Sequence, residues 1–167
     1  PIAYTREGQE VKSQFVLQEN VLSYEIGNYE GEVVIDPSLV WATYYGGSGD
    51  DYSNGIATDA TGNVFVTGQT TSTSGIASTG AFQTICSYWD AFIVKFNSLG
   101  VRQWGTYYGG ADNDYAQGIA TDATGNVFIT GKTISTTGIA TTGAYHTTYG
   151  GGGDVFVVKF NNSGVRQ

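Results

Sequence analysis

The residues of this sequence best suited to chemistry are aspartates that follow glycine-rich runs. Asp50 and Asp51 follow one such run, and Asp112 and Asp114 follow a second. Carboxylates in a flexible loop can bind Ca²⁺, which takes about six to eight oxygen ligands. The spacing of an EF-hand is absent, and the second aspartate of each group is followed by a tyrosine. This recurrence favours a structural role, so we expect no metal and no cofactor, with Ca²⁺ at these four residues as the alternative.

Hydrolysis is a second kind of chemistry that aspartates can perform. Glycoside hydrolysis needs two carboxylates about 5 to 10 Å apart across a cleft. Asp90 and Asp154 occupy equivalent places before strand-forming runs, which is typical of residues that cap turns. His146 has no Ser or Cys partner at a catalytic spacing, and Cys86, the single cysteine, suits a small buried thiol. We therefore expect no catalytic residue and no enzymatic activity.

Aromatic residues offer a third possibility, a binding surface. The pairs Tyr44-Tyr45 and Tyr107-Tyr108 could stack on sugar rings, but their recurrence favours packing between repeats. Tyr88, Trp89 and Tyr149 lie in stretches where the two halves of the chain share nothing. Loop tips that diverge while the framework repeats are suited to recognition. These three residues are our candidate contacts for a protein or glycan ligand.

An internal repeat supplies the elements that position all of these residues. Residues 41–103 match residues 104–167 with one inserted residue in the second copy, and 41 of 63 paired positions are identical. Residues 1–40 lie outside the repeat. We place a boundary at Asp36-Pro37-Ser38, because proline interrupts strand pairing. The prediction is therefore a short segment over residues 1–36, followed by a repeat segment over residues 37–167.

Each repeat resolves into four short strands. In the first copy the strand-forming runs are 55–59, 63–68, 91–96 and 101–108; in the second they are 118–122, 126–131, 155–160 and the start of a fourth at 165–167. A Ser/Thr/Gly-rich loop spans residues 69–89. Four antiparallel strands in tandem are typical of β-propeller blades, whereas a parallel β-helix has shorter coils without tight hairpins. We predict an all-β fold with two four-stranded propeller blades in an incomplete ring, after a short β segment.

The order of the strand motifs bears on how such a ring is completed. The fourth-strand motif first occurs at Val40–Tyr45, ahead of any first-strand motif, and propellers often let an early strand complete the last blade. The small residues of the first strand suit a crowded central axis. Two repeats cannot close a ring that typically needs about four to eight blades. We therefore expect further blades, in the same chain or in neighbouring chains, as partners.

Composition and charge exclude several classes of protein. The chain has 167 residues, a net charge of −8 and a pI of about 4.3, which argues against a nucleic-acid partner. No run of 18 apolar residues is present, so we expect no membrane insertion. Only 13% of residues are charged and 14% are aromatic, the reverse of a disordered chain. Because the sequence starts at Pro1 and contains no Met, we expect a processed or partial chain.

The repeated segments resemble the SBBP repeat family of bacterial β-propellers. The matching motifs are TYYGG at Thr43–Gly47 and Thr106–Gly110, IATDATGNVFVTG at Ile56–Gly68, IATDATGNVFITG at Ile119–Gly131, and DAFIVKFN and DVFVVKFN from Asp90 and Asp154. The resemblance covers residues 41–167. It implies a large secreted or surface-attached protein, in which residues 1–36 are the last strands of an all-β domain of unknown function. It implies no catalytic motif.

Three functions are compatible with these observations. The first is a non-enzymatic scaffold or interaction module of a secreted or cell-surface bacterial protein, with an extracellular location. The second is a self-assembling structural element, a fibre or a ring closed between chains, because an incomplete blade is a template for strand addition. The third is an accessory domain of a secreted hydrolase. Propellers host many functions, so the fold does not choose among them.

Overall fold

The chain consists of two compact units, Pro1–Ala42 and Thr43–Gln167. The structure, a computed structural model, describes residues 3–5, 10–18, 21–28, 33–35 and 41–167. These residues form strands, turns and loops, and they include no helix that could span a membrane. The boundary predicted at Asp36-Pro37-Ser38 falls outside the described residues.

In its described residues, the first unit contains five short strands in two small antiparallel sheets. The strands are β1 (Ala3–Thr5), β2 (Glu10–Val11), β3 (Ser13–Gln18), β4 (Val21–Ile26) and β5 (Val33–Ile35). One sheet has the order β2-β1-β5, and the other is the hairpin of β3 and β4. The hairpin register pairs Phe15 with Tyr24 and Leu17 with Leu22 along the backbone.

The first blade is a four-stranded antiparallel meander. It contains β6 (Asp51–Thr58), β7 (Val64–Thr70), β8 (Asp90–Phe96) and β9 (Arg102–Tyr108), in that spatial order. The first strand begins four residues earlier than the predicted span, which started at Gly55. A bulge between Ser53 and Gly55 accounts for the difference, because one extra residue there lets the ladder continue from Gly55 back to Asp51.

The second blade repeats this arrangement with three full strands. They are β10 (Asp114–Thr121), β11 (Val127–Thr133) and β12 (Asp154–Phe160). The fourth position begins with a bridge between Phe160 and Arg166, and the Gln167 N–H donates to the Lys159 carbonyl at 2.9 Å. The predicted fold class is confirmed: an all-β chain with propeller blades in an incomplete ring.

The fourth-strand motif ahead of the first blade does not form a strand in its described part. Residues 41–47 are irregular, although the same motif in the second repeat forms β9. The physical reason is pairing: β9 hydrogen-bonds along β8, whereas residues 43–47 have no strand alongside them among the described residues. Residues 41–45 therefore form no strand here; two blades do not test whether this motif completes the last blade of a closed ring, and that expectation stays a prediction.

The main core lies between the two blades. It is built from apolar residues on one face of the first blade and the opposing face of the second: Phe65, Ala91, Ile93, Tyr108, Ala116, Val127, Ile129, Phe156, Val158 and Phe160. All of these side chains are buried. Alternation along each strand points every second residue into this layer, and the faces of neighbouring blades bury one another.

Small residues allow the inner strands β6 and β10 to approach closely. A Cβ added at Gly55 would lie 2.9 Å from Ile119 Cγ2 on the next blade, closer than ordinary van der Waals contact. The Asn54 amide, at the bulge, donates to the Ala116 carbonyl at 2.7 Å. The crowding predicted for the first strand of each repeat is therefore confirmed at the contact between β6 and β10.

Candidate functional site

The turns after β6 and β10 are held by one aspartate each. Asp59 accepts hydrogen bonds from the backbone N–H groups of Thr61 and Asn63 and from both of their side chains, at 2.7 to 3.0 Å. Asp122 accepts the same four bonds in the second repeat. Desolvation acts to raise the pKa of Asp59, but these bonds outweigh it and lower the pKa to about 2. The structural role predicted for this turn is confirmed.

Tyr108 connects the fourth strand of the first blade to the second blade. Its ring packs 5.2 Å from Phe156 and its hydroxyl donates to the Ile139 carbonyl at 2.8 Å. Tyr45 makes the equivalent hydroxyl bond to the Ile76 carbonyl at 2.7 Å, with its ring 5.6 Å from Phe92. Tyr45 and Tyr108 thus make the same hydroxyl bond and the same ring contact in successive repeats, so the predicted packing role is confirmed for them.

The other tyrosine of each pair behaves differently. Tyr107 is fully buried and its hydroxyl donates at 2.7 Å to the carbonyl of Ser72, a loop residue of its own blade. Tyr44, its counterpart, is fully exposed. Packing between blades is therefore wrong for Tyr107, whose side chain points toward the loop of its own blade. The exposed Tyr44 side chain packs against neither blade.

The first-blade loop carries two of the candidate binding residues. Tyr88 is 67% exposed, and Ile85, which also differs between the repeats, is 73% exposed. Trp89 is half-buried: its ring lies 5.6 Å from Tyr52, and its carbonyl accepts the Asp114 N–H at 2.6 Å. Tyr88 is thus available for contact, whereas Trp89 attaches the loop to the second blade.

The third candidate, Tyr149, lies in the equivalent loop of the second blade. Its side chain is half-buried and its hydroxyl accepts the Gly153 N–H at 2.9 Å. Tyr149 lines an open cleft of about 750 Å³ together with residues such as Ile139, His146 and Val155. His146 is exposed and stacks on Tyr145, as expected for a solvated loop residue. The structure therefore does not bring Tyr149 into one surface patch with Trp89 by any contact.

The cleft coincides with the place that a fourth strand fills in the first blade. There, the Ser78 N–H donates to the Gly105 carbonyl and the Tyr107 N–H to the Gln83 carbonyl, at 2.9 and 3.2 Å. The second-blade loop, over residues 135–150, has no such strand beside it among the described residues. A strand like β9 is therefore the shape that this cleft accommodates.

The calcium candidates are occupied with hydrogen bonds inside the loops. Asp51 accepts from the Gly47 N–H, the Ser72 hydroxyl and the Thr70 hydroxyl at 2.9, 3.0 and 2.5 Å. Asp50 and Asp112 contribute backbone N–H groups to neighbouring hydroxyls. Within the described part of the chain, no three His, Cys, Asp or Glu side chains are grouped so as to hold a metal ion.

Asp114 shares the loop role of Asp51 with one difference. Its Oδ2 accepts from the Gly110 N–H at 2.7 Å and from the Ser135 hydroxyl at 2.8 Å. Its Oδ1 is buried and has no hydrogen-bond partner. A structural role explains the five hydrogen bonds that the carboxylates of Asp51 and Asp114 accept. It does not explain why Asp114 Oδ1 is buried without a partner among the described residues.

Asp90 and Asp154 cap the loops that precede β8 and β12. Asp90 accepts from the Gln83 amide at 2.9 Å and from the Ser87 N–H at 3.3 Å, and Asp154 accepts from the Gly150 N–H at 2.7 Å. The predicted capping role is confirmed. Asp90 is also fully buried, and its Oδ1 has no partner. Burial raises the pKa of Asp90 to about 6, and the nearby Asp114 carboxylate adds to the increase.

Cys86 is a free, buried thiol, as predicted from the sequence. Its sulfur contacts the carbonyls of Thr70 and Tyr88 at 3.5 and 3.4 Å. Burial and then the charge of Asp90 raise the pKa of this thiol. A thiol of that kind is a poor nucleophile, because the thiolate is the reactive species.

Sequence reasoning did not single out the proximity of Asp90 and Asp114. They lie on different blades and belong to different positions of the repeat, so no spacing in the sequence joins them. No signal in the sequence would have found this proximity, because the row of Asp51, Thr70 and Asp90 at one end of the first sheet joins acids within one blade and does not include Asp114.

Comparison with known families agrees with the geometry of the blades. Residues 40–75 and 103–139 match the family model of SBBP, a beta-propeller repeat. Each match includes an inner strand and the strand that follows it. Two segments of the chain therefore match an SBBP beta-propeller repeat, and the resemblance seen in the sequence is confirmed. No curated protein matches the chain.

Proposed function

We propose that this chain is a non-enzymatic β-propeller scaffold and interaction module of a secreted or cell-surface bacterial protein. In this proposal its direct partners are further blades of the same repeat, and its exposed loops contact a protein or glycan ligand. The extracellular location rests on the SBBP resemblance together with the low charge content. The acidic net charge argues against nucleic acid as a partner.

One observation carries the proposal. Ala91 and Ile93, on the face of the first blade that meets the second, are completely buried. Their counterparts on the second blade, Val155 and Val157, are 78% and 72% exposed. Two apolar β-branched side chains on one open sheet face are costly in water, at about 25 cal/mol for each Å² of apolar surface. On the first blade, the equivalent residues Ala91 and Ile93 are covered by the second blade. Another blade is therefore the partner whose shape fits the open face of the second blade.

Extension of the chain tests this partner. A third copy of residues 104–167 after Gln167 would place a blade against Val155 and Val157. In a stacked-repeat protein, stability is approximately the sum of repeat and interface contributions. We expect the extended chain to unfold in one transition, with a higher free energy of unfolding than the chain of 167 residues. A third repeat that melts separately, without stabilising the first two, contradicts the proposal.

The loops of the module are its recognition candidates. Tyr88 and Ile85 are exposed beside the half-buried Trp89, which the Tyr52 ring and the second blade hold in place. A rigid scaffold that presents exposed aromatic and aliphatic side chains on a loop is suited to binding. An array of glycans and cell-surface proteins would be screened with the chain and with Tyr88→Ala. Binding that is unaffected by Tyr88→Ala removes this loop from the proposal.

Self-assembly is the second candidate, and the cleft on the second blade favours it. β12 pairs fully with β11, but on its other side it has one bridge, at Arg166. Strand addition from another copy would satisfy this edge, with a segment such as residues 43–47 as donor. A synthetic peptide with the sequence of residues 103–110 would compete for the same edge. We expect it to bind the chain and to lower the solution mass of any assembly.

A further inference from the structure

Two buried carboxylates from different blades converge on Gly109, the residue that follows β9. A Cβ added at Gly109 would lie 2.6 Å from Asp114 Oδ2 and 2.8 Å from Asp90 Oδ1. Both aspartates are 0% exposed. Asp90 begins the third strand of the first blade, and Asp114 begins the first strand of the second. The two acids therefore meet where the chain passes from one blade to the next.

Each carboxylate has one oxygen that no donor reaches. Asp90 Oδ1 and Asp114 Oδ1 are the buried side-chain polar atoms without a hydrogen-bond partner among the described residues. The donors to the other oxygens are backbone N–H groups, the Gln83 amide and the Ser135 hydroxyl, and none of them is a cation. A buried charge without a counter-charge is strongly unfavourable, so such groups are neutralised by a cation or by a proton.

The groups that face the pair from neighbouring elements are acids, phenols and a thiol: Asp51 on β6, Cys86 in the loop before β8, and Tyr107 and Tyr108 on β9. A cation, Arg166, hydrogen-bonds Tyr108, but the groups that act on the Asp90 carboxyl include no cation. The pKa of Tyr107 is raised to about 12 by burial first, and then by Cys86, Asp51 and Asp90. These surroundings favour the uncharged form of Asp90.

We propose that this blade junction is a proton-binding site: the buried Asp90 carboxyl, held beside Asp114 at Gly109, binds a proton, and loss of that proton weakens the contact between the blades. A proton on Asp90 removes the repulsion between two buried carboxylates and gives this carboxyl a hydrogen-bond donor. Ca²⁺ fits less well because it takes about six to eight oxygens and only two are free here. This inference concerns the junction already present and stands independently of any further blade.

The direction of the pH dependence follows from the raised pKa of Asp90. Its value is about 6 in the folded chain against an ordinary 3.8. Between these values the folded state binds more protons than the unfolded state, so stability falls as pH rises through this window. The aspartates of the turns have lowered pKa values and act only at lower pH.

The test compares the 167-residue chain with Asp90→Asn and Asp114→Asn by denaturant unfolding from about pH 4.5 to about pH 7.5. Each Asn amide imitates the protonated acid. We expect the ratio of the unfolding constant of the wild type to that of Asp90→Asn to rise on the order of tenfold across this range. Asp154→Asn is the matched control, because Asp154 has the same place in its blade without a second blade's carboxylate beside it; its pH dependence should equal that of the wild type.

A second measurement needs no variant to fold. NMR titration of the aspartate side-chain carboxyl carbons should show the Asp90 carboxyl titrating near pH 6. Titration of Asp90 below about pH 4.5 overturns the proposal. So does a wild-type stability at neutral pH that rises with added Ca²⁺ and loses this response in Asp90→Asn, since the pair would then be a cation site.

Discussion

Asp59 shows how one carboxylate fixes a turn in this protein. Four hydrogen bonds from Thr61 and Asn63 converge on it, and Gly62 takes a φ of +78° at the tip of the turn. Asp and Asn side chains are suited to such turns because they accept bonds from the backbone two residues ahead. The second repeat reproduces the network around Asp122. The pattern Asp-Ala-Thr-Gly-Asn is therefore a structural signature and needs no ligand to explain it.

Replacement of Asp59 by Ala should destabilise the first blade. Loss of the acceptor leaves the Thr61 and Asn63 N–H groups without partners, which we expect to cost about 1 kcal/mol. Chemical unfolding of Asp59→Ala measures this loss. Asp50→Ala is the control, because no hydrogen bond to its side chain is present, and its effect should lie within about 0.5 kcal/mol of the wild type.

The same residue gives a pH prediction of opposite sign to that of the junction. The pKa of Asp59 is lowered to about 2, so its contribution to stability is complete above 3.8 and is lost as pH falls through about 2. Acid unfolding of the wild type should therefore lose stability in this range. Asp59→Ala should lose less; an identical acid profile for the two proteins contradicts the assigned hydrogen bonds.

Tyr108 offers a direct test of the joint between the blades. Its hydroxyl bonds the Ile139 carbonyl at a partly buried position, so Tyr108→Phe should remove this partner of the carbonyl and cost about 1 kcal/mol. Tyr44→Phe is the matched control, since Tyr44 is fully exposed and should tolerate the change. Equal stabilities of Tyr108→Phe and the wild type would contradict a stabilising role for this hydrogen bond between the blades.

At the level of elements, the close approach of the inner strands β6 and β10 limits the size of the side chains that they can carry. Gly55 faces Ile119 across the two blades, whereas an added Cβ at Gly118, its counterpart, meets Thr130 of its own blade at 3.1 Å and no residue of a following blade. Overpacking a close contact typically costs about 1 to 3 kcal/mol. Gly55→Val should therefore destabilise the chain more than Gly118→Val does. Thermal unfolding of the two variants, compared with the wild type, measures the difference.

The strands of each blade could be predicted from sequence because three local signals agree. Val64–Thr70 and Asp90–Phe96 are rich in β-branched and aromatic residues, are bounded by Gly and Asn turns, and occur twice. The start of β6 at Asp51 could not be predicted, since it depends on the bulge at Ser53 and Gly55, which is set by pairing with β7. Local patterns predict a strand well when residue propensity sets its bounds, and less well when pairing with a partner strand sets them.

The candidate site was predictable only in part, for a related reason. The exposure of Tyr88 and the burial of Cys86 follow from their residue types and their loop. The convergence of Asp90 and Asp114 does not, because it depends on how two blades stack around Gly109. Likewise, Tyr107 and Tyr44 share a sequence motif but differ in exposure, since the burial of a side chain depends on its tertiary neighbours.

On the scale of the whole molecule, we expect the open face of the second blade, formed by Val155 and Val157, to receive another blade. The first two blades already show such a contact, in which Ala91 and Ile93 lie beneath the neighbouring sheet. Large exposed apolar faces on soluble proteins generally mark interaction sites. Scaffold and self-assembly differ only in whether the covering blade comes from the same polypeptide or from a neighbour.

Thiol labelling of Val157→Cys tests this claim most directly. Cys86 is the single native cysteine and is buried, so labelling reports on position 157 with little background. The variant is prepared in the chain of 167 residues and in the chain extended by a third copy of residues 104–167. Leu99→Cys, in an exposed turn away from the face, is the control in both chains. The account predicts that position 157 reacts rapidly in the shorter chain and becomes protected in the extended one, while position 99 stays reactive. Equal labelling of position 157 in the two chains would contradict it.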